Sequence, residues 1–215
     1  MKPSWNLPDF PLGSSRDTFP VVALIILIGT TITSLQAFKD QGLFDRYVLH
    51  PWSIANHKTR YYTLLSSGLI HADPMHLTMN LMSFCFFGLT LATIIGHARF
   101  LFVYVGSLLF SSLVLTAKNA NNAYYNALGA SGAITGVIFS YILYRPNSKI
   151  IFMFAPMGVP APVFALAYIG YSYFMSRNRY DNIAHDAHLW GAISGALITL
   201  AVDPNLAGIV TRFFK

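Results

Sequence analysis

Residues 129–144 have the sequence GASGAITGVIFSYILY, which predicts an apolar helix over Ser131–Tyr144 that begins with a serine between small residues. A helix of about 14 residues is only about 21 Å long, whereas a full membrane crossing takes roughly 20 residues. We therefore expect the start of this helix to lie below the membrane surface, in a cavity that water can reach. Ser131 becomes a candidate nucleophile if polar partners lie at the same depth.

The composition of the whole chain predicts an integral membrane protein. Of the 215 residues, 54% are hydrophobic and 10% are charged, against about 25% charged residues in soluble domains. The net charge of +6 favours contact with anionic lipid head groups, and no basic and aromatic run indicates nucleic acid as a partner. The single cysteine, Cys85, excludes an intramolecular disulfide and is expected to be a small core residue.

Six apolar segments predict an all-α fold, namely a polytopic membrane bundle of six transmembrane helices. Their expected bounds are about 20–37, 75–95, 100–117, 131–144, 161–175 and 187–202. A cluster of prolines at 156, 160 and 162 should interrupt the chain before the fifth helix. The fourth, fifth and sixth segments are shorter than a full crossing.

The segments divide the chain into a short N-terminal tail over 1–19, a membrane domain over 20–203 and a C-terminal tail over 204–215. Within the domain, the long connection over 39–73 mixes aromatic, charged and apolar residues. Loops of this length are usually functional or disordered, and this one is too aromatic for disorder. It is expected to fold as a cap that is partly inserted at one membrane interface.

Three of the predicted helices carry polar residues near their N-terminal ends. The second, fourth and sixth helices run in the same direction, so these ends share one face of the membrane. His76 and Asn80 lie four residues apart in the second helix and therefore project from one side. Ser131 begins the fourth helix, and His188 lies in the first turn of the sixth. Ionisable groups inside membrane spans are costly and by default indicate a functional site.

Glycine pairs predict that the fourth and sixth helices pack closely. Gly132 and Gly136 form a Gly-x-x-x-Gly pair in the fourth helix, and Gly191 and Gly195 form a second pair in the sixth. Such pairs let helix backbones approach each other. Two glycine-surfaced helices can lie close enough for a histidine on one to hydrogen-bond a serine on the other.

These residue types suit nucleophilic catalysis. A neutral His188 can take the proton of the Ser131 hydroxyl and later protonate a leaving amine. His76, the Asn80 amide and the backbone N–H of Ser131 are suitable donors for a developing oxyanion. No third acid is evident, since Asp186 lies on roughly the opposite side of the helix from His188 and is expected to cap its N-terminus.

The acidic residues narrow the chemistry further. The chain contains no glutamate, so the His-Glu-x-x-His helix of zinc proteases is absent. No glycine precedes any aspartate, which also excludes the Gly-x-Gly-Asp pattern of membrane aspartyl proteases. Of the three common ways to hydrolyse a peptide within a bilayer, the sequence therefore favours a serine nucleophile.

Three segments resemble the motifs of the rhomboid intramembrane serine proteases. Residues 66–80, SSGLIHADPMHLTMN, are similar to the signature of the family's second helix. Residues 129–132, GASG, resemble its nucleophile motif, and residues 187–195, AHLWGAISG, resemble its last helix. The motifs occur in family order, and the resemblance covers about residues 63–200. It implies the minimal six-helix bacterial form, placed in the bacterial inner membrane and requiring no cofactor.

The resemblance also implies roles for individual residues. It implies a catalytic dyad of Ser131 and His188, an oxyanion site that includes His76 and Asn80, and a structural or water-organising role for His71. The supporting glycines are Gly129, Gly132, Gly191 and Gly195. The implied substrate is itself a transmembrane helix with small or helix-breaking residues near its ends. Phe86, Phe87 and Phe164 are candidates for lining a lateral entrance for that helix.

One segment departs from the family pattern. Many rhomboids carry a Trp-Arg pair in the first loop, and the corresponding positions hold Tyr62 and Thr63. Arg60 and Tyr61 are the candidate substitutes that would anchor the cap.

Two other functions stay open at this point. A non-proteolytic rhomboid-like protein would bind transmembrane clients, although such proteins generally lack the serine or the histidine. A metal site or transporter would use imidazole and carboxylate ligands, which suit zinc, but it leaves the glycine-flanked serine and Asn80 unexplained. Its candidate ligands are His71, Asp73, His76, His185, Asp186 and His188. Outside that alternative, His185 is expected to face the loop. The natural substrate, the oligomeric state and the membrane orientation are not predicted.

Overall fold

The computed structural model describes residues 19–152, 155–178 and 183–206. Its elements, in chain order, are α1 (Val21–Ala37), α2 (Gln41–Tyr47), α3 (Pro51–His57), α4 (Thr63–Ser66), α5 (Pro74–Ser83), α6 (Thr90–Ile95), α7 (His97–Lys118), α8 (Ser131–Tyr144), β1 (Lys149–Phe152), β2 (Ala155–Pro160), α9 (Ala161–Asn178) and α10 (His185–Val202). A 3₁₀ turn, Ser67–Leu69, follows α4, and a π-helical segment, Phe84–Leu89, joins α5 to α6. The tail predicted over 1–19 lies almost entirely outside the described residues.

Within the part of the chain that the structure describes, two helices are long and apolar enough to cross a membrane. One is the continuous run Pro74–Ile95, which comprises α5, the π segment and α6, and the other is α7. The helices α1 and α8 are apolar but shorter, at 17 and 14 residues. Gly96 alone separates the two long helices. Its φ of +78° lies in a region that glycine enters readily, which allows so short a connection.

Cys85 corrects one expectation from the sequence. It lies within the π segment and is exposed rather than buried in the core. A π turn contains an extra residue, so it shifts which side chains face inward. A prediction based on regular helical spacing therefore misplaces residues along this segment.

The helices α7, α8 and α10 pack most tightly on one another, around the two glycine pairs. A Cβ atom added to Gly191 would lie 2.1 Å from the carbonyl oxygen of Gly132. One added to Gly195 would lie 2.3 Å from the Cα atom of Gly136. The backbones of α8 and α10 are therefore in direct contact, as the glycine spacing predicts. Ser107 of α7 packs against the same glycine of α8, since a Cβ atom added to Gly136 would lie 2.1 Å from the Ser107 Oγ.

A polar cluster ties these three helices together at one end. Arg99 Nη1 lies 3.3 Å from Asp203 Oδ2, and the Tyr144 hydroxyl donates to the same oxygen at 2.9 Å. Arg99 lies near the start of α7, whereas Tyr144 ends α8 and Asp203 follows α10. The N-terminal ends of α8 and α10 therefore share the opposite end of the bundle.

The connection over 39–73 folds into α2, α3, α4 and the 3₁₀ turn, and it is fastened to the loop that leads to α8. Leu49 and Ala127 form an antiparallel backbone bridge. The Asn56 side chain donates to the carbonyl oxygen of Ala120 at 2.8 Å. This predicted cap thus holds the chain that enters α8.

The prediction of an all-α fold is wrong between α8 and α9. There β1 and β2 form a two-stranded antiparallel sheet, in which Lys149 pairs with Pro160 and Ile150 with Val159. The predicted proline interruption does fall here, because proline cannot donate within a helix. Extended pairing satisfies the other backbone groups, and the β-branched pair Ile150–Ile151 favours a strand. The predicted bounds of α8 match the structure, while α9 extends to Asn178 and α10 begins earlier, at His185.

The glycine contact predicts a difference between two Gly-to-Ala substitutions. Gly191→Ala should lower the apparent thermal midpoint by about 2–12 °C, because overpacking costs roughly 1–3 kcal/mol and 1 kcal/mol shifts the midpoint by about 2–4 °C at this size. Gly170→Ala in α9 is the control, since nothing lies within 4 Å of its added Cβ. Thermal unfolding in detergent is the measurement. Equal midpoints for the two variants would contradict the close contact.

Candidate active site

The first turn of α5 fixes two of the predicted site residues. The Asp73 side chain accepts a hydrogen bond from the His76 N–H at 2.8 Å, and Pro74 occupies the first helical turn, which is a favourable helix start. Asn80 lies one turn further on and is buried. Its Nδ2 donates to the His76 carbonyl oxygen at 2.9 Å, so one of its donors is engaged within its own helix and the other is left for another acceptor.

The structure brings Ser131 and His188 into hydrogen-bonding contact. His188 Nε2 lies 2.9 Å from Ser131 Oγ. Ser131 is the first residue of α8, where backbone N–H groups have no intrahelical acceptor. His188 lies in the first turn of α10, and the glycine contact brings it across to α8.

The loop before Ser131 lies directly against His76 of α5. Gly129 has a φ of +106°, and its N–H donates to the Ser67 carbonyl oxygen at 2.9 Å. A Cβ on Gly129 would lie 2.7 Å from the Cε1 atom of His76. The His76 imidazole therefore packs against backbone only two residues before the serine.

His71 lies in the loop before α5 and is fully buried. Its Nδ1 is 2.9 Å from the Ser34 hydroxyl, and its Nε2 accepts a hydrogen bond from the Ala130 N–H at 3.5 Å. Its ring centroid is 4.9 Å from that of His76. Burial lowers the pKa of His71 to about 3, and the neighbouring His76 contributes in the same direction. The His71 imidazole is therefore neutral at physiological pH.

Asp186 does not cap α10, which corrects the sequence expectation. The N-cap residue is Ala184 and makes no side-chain hydrogen bond. Asp186 Oδ1 instead lies 2.5 Å from Lys118 Nζ, at the end of α7. The carboxylate side chain is 14% exposed and the lysine 45% exposed, so their attraction is partly screened by solvent. The cap prediction failed because α10 begins at His185, two residues before its predicted start, which places Asp186 inside the first turn.

His185 also differs from its predicted position. It is buried rather than facing the loop. Its ring lies 5.5 Å from the Tyr171 ring of α9 and 5.8 Å from the His188 ring, both in edge-on geometry. It therefore packs between α9 and the histidine that contacts Ser131.

The candidate metal ligands do not converge. Among the described residues, no group of three or more His, Cys, Asp or Glu side chains could hold a metal ion. One of the candidates, Asp186, pairs with Lys118 instead.

A small cavity adjoins Ser131 on the side of the cap. Its lining includes Ser67, Ser111, Ser112 and Gly129, and the remainder is mostly leucine and alanine. Hydroxyl groups can hydrogen-bond water, so this wall suits a hydrated approach to the serine. The site thus combines a hydroxyl, an imidazole in contact with it, helix N–H groups without an intrahelical acceptor and a small cavity lined by both serine and apolar residues.

Comparison with known proteins identifies the family. The profile of the Rhomboid domain matches residues 58–204. The chain belongs to the rhomboid family. The match includes all three motifs and every residue predicted for the site. Rhomboids are membrane-embedded proteins, and the two long apolar helices agree with that location.

Three relatives illustrate the similarity. The chain is 33% identical over 144 residues to "Rhomboid protein 1, mitochondrial" of Saccharomyces cerevisiae, covering 65% of this chain and 41% of that protein. It is 26% identical over 200 residues to "RHOMBOID-like protein 12, mitochondrial" of Arabidopsis thaliana, covering 86% and 58%. It is 28% identical over 184 residues to "Putative rhomboid protease YdcA" of Bacillus subtilis, covering 84% and 87%. The chain thus spans about half the length of the two mitochondrial relatives.

Of the two residues expected to anchor the cap in place of the missing Trp-Arg pair, Arg60 makes the contacts. The Arg60 guanidinium donates to the carbonyl oxygen of Asp45 in α2, while the Thr63 hydroxyl donates to the Arg60 carbonyl at 2.7 Å. Tyr61, the other candidate, is 52% exposed. Arg60 therefore ties α4 to α2 within the cap.

Sequence reasoning missed three residues that contact this site, namely Ser34, Lys118 and Tyr171. Ser34 could have been found from the sequence, since Thr30 and Ser34 lie four residues apart on one side of an apolar helix. The structure buries both side chains. Lys118 and Tyr171 carried none, because charged and aromatic residues are common at the ends of membrane helices.

The contact between Gly129 and His76 predicts an unequal effect of alanine at two glycines. Gly129→Ala and Gly96→Ala both place a side chain at positive φ, which costs about 1–3 kcal/mol. Only the alanine at 129 would also meet the His76 ring, because the Gly96 position is open. Gly129→Ala should therefore lower the apparent thermal midpoint further than Gly96→Ala. Equal losses would show that the His76 ring moves away without cost.

Proposed function

We propose that this rhomboid is an intramembrane serine endopeptidase that cleaves transmembrane-helix substrates. The observation that carries the proposal is the 2.9 Å contact between His188 Nε2 and Ser131 Oγ, because a serine hydroxyl becomes an effective nucleophile when a base takes its proton. The name of the Bacillus subtilis relative includes the word protease, which supports the same reaction class.

In the proposed reaction, the Ser131 oxygen attacks the scissile carbonyl carbon while its proton passes to His188 Nε2. The resulting oxyanion accepts hydrogen bonds from the Ser131 N–H, His76 and the free donor of Asn80. The C–N bond then breaks, and His188 gives its proton to the leaving amine. Water repeats the sequence on the acyl-enzyme, releasing the carboxylate product and restoring the serine. Removing one oxyanion donor should lower the rate by about 10²–10³.

The membrane arrangement belongs to the same proposal. Besides the two long apolar helices, α1, α8, α9 and α10 would complete a six-span bundle, with the shorter ones leaving a water-filled depression above Ser131. The partners are then transmembrane proteins and the lipid bilayer. For the compartment we propose the bacterial inner membrane, since the Bacillus subtilis relative is matched over 87% of its length; the mitochondrial relatives make a mitochondrial membrane the competing location.

A fluorophosphonate probe tests the activated serine. Detergent-solubilised wild type should be labelled, Ser131→Ala should not, and His188→Ala should react more than about 10³-fold more slowly. Ser176→Ala and His57→Ala are matched controls, since the Ser176 hydroxyl donates to the Tyr173 carbonyl oxygen within α9 and His57 is exposed at the end of α3. Cleavage of a transmembrane peptide in liposomes should follow the same order.

The opposite result would support the client-binding alternative. Folded wild type that reacts with no probe in detergent or in liposomes, and cleaves no transmembrane peptide, would overturn the protease proposal. Labelling retained in Ser131→Ala would assign the nucleophile to another residue.

The packing between the π segment and α9 yields a second test. Phe87 and Phe164 join one apolar cluster with Tyr141 of α8, whereas Phe86 is 67% exposed. If a substrate helix enters here, Phe87→Ala and Phe164→Ala should loosen the entrance and raise kcat/KM several-fold. Phe86→Ala, the third candidate for the entrance, should act in the same direction. Phe102→Ala on α7, whose side chain is 66% exposed, is the control and should leave kcat/KM unchanged. Unchanged or slower cleavage in the first two variants would exclude an entrance at this cluster.

A further inference from the structure

A chain of buried hydrogen bonds connects α1 to the loop that precedes Ser131. Ser34 Oγ lies 2.9 Å from the Leu69 carbonyl oxygen and 2.9 Å from His71 Nδ1. His71 Nε2 in turn accepts from the Ala130 N–H. Ser34 and His71 are fully buried, and Ala130 is nearly so. Bulk water therefore cannot replace a lost partner.

The direction of each hydrogen bond follows from the groups at the two ends of this hydrogen-bond chain, the Leu69 carbonyl and the Ala130 N–H. A carbonyl oxygen only accepts, so the single proton of the Ser34 hydroxyl is donated to Leu69. Ser34 can then only accept from His71, which requires the proton on Nδ1. A neutral imidazole has one N–H, so Nε2 is left as an acceptor, and the Ala130 N–H meets it. The Leu69 carbonyl thus selects the His71 tautomer through Ser34.

The alternative tautomer would oppose the observed geometry. With its proton on Nε2, His71 would present an N–H to the Ala130 N–H, and Nδ1 would lose its donor to Ser34. Two donors facing each other in a buried site are unfavourable, and an unsatisfied buried donor costs about 1–3 kcal/mol. The loop would shift at Ala130, the residue directly before the nucleophile.

We propose that Ser34 is a positioning residue of the active site: its hydroxyl fixes the Nδ1–H tautomer of His71, which holds the Ala130 amide and thereby the start of α8. The kinetic part of this inference rests on the proposed protease function. The tautomer part does not, because it concerns the hydrogen bonding of the folded chain alone.

The matched variants are Ser34→Thr and Ser34→Val, which have nearly the same shape and differ in the hydroxyl. Ser34→Ala adds a smaller variant in case the β-branched side chains do not fit. Thr33→Val is the control on the adjacent residue, whose hydroxyl donates within α1 to the Gly29 carbonyl. Thermal unfolding in detergent verifies that each variant is folded before it is compared.

Histidine ¹⁵N NMR of the full chain measures the tautomer, with the His71 signals assigned by His71→Gln. Wild type, Thr33→Val and Ser34→Thr should show the Nδ1–H form, whereas Ser34→Val and Ser34→Ala should show the Nε2–H form or a mixture. In peptide cleavage, the two variants without a hydroxyl should lose kcat by roughly tenfold with little change in KM, and Ser34→Thr should restore kcat.

The outcomes separate the two proposals. An Nδ1–H signal that persists in Ser34→Val and Ser34→Ala would overturn the positioning role, whatever the activity. Equal loss of kcat in the threonine and valine variants, with the tautomer unchanged in both, would reduce Ser34 to a packing residue. Wild type that cleaves nothing but shows the predicted tautomer pattern would contradict the protease proposal and retain the hydrogen-bond assignment.

Discussion

The direct backbone contact between α8 and α10 is the constraint on which the rest of the structure depends. Neither Gly191 nor Gly195 has room for a side-chain carbon, since the opposing backbone of α8 lies within 2.3 Å of the place it would occupy. In lipid, helices gain little from hydrophobic association, so close packing and interhelical hydrogen bonds must hold them together. The same contact sets the chemistry, because Ser131 directly precedes Gly132 and His188 lies three residues before Gly191. A wider helix separation would part the serine from its imidazole partner.

Polar contacts at both ends of the bundle hold these helices together. Arg99, Tyr144 and Asp203 join α7, α8 and α10 at the end away from the site, and Lys118 joins α7 to α10 beside it. At that second end, the N-termini of α5, α8 and α10 converge. Helix N-termini carry unpaired N–H groups and the positive end of the helix dipole. A site for developing negative charge therefore arises from helix direction, before any side chain is considered.

The sequence predicted the parts of this arrangement that local rules determine. Ser131–Tyr144 was predicted with its observed bounds because a small-residue loop precedes it and Arg145 and Pro146 follow it. The approach of His188 to Ser131 followed from helix direction and glycine spacing. Contacts between distant segments could not be predicted in the same way. Ser34 meets a residue 37 positions later in the chain, Asp186 meets a lysine of another helix, and the extended pairing of β1 with β2 was hidden by the proline cluster.

The burial of side chains differs between the helices. The helices α7, α8 and α10 share backbone contacts and buried hydroxyls, while among the described side chains of α9 only Ala161 and Ser172 are buried. Donors that stabilise developing charge work best when they are held in place beforehand. The tightly packed helices carry every residue proposed to touch the oxyanion or the serine, apart from those on α5, which the Asp73 cap and the His71 network hold. The Tyr171 ring, which packs against His185, links the less buried α9 to the helix that carries His188.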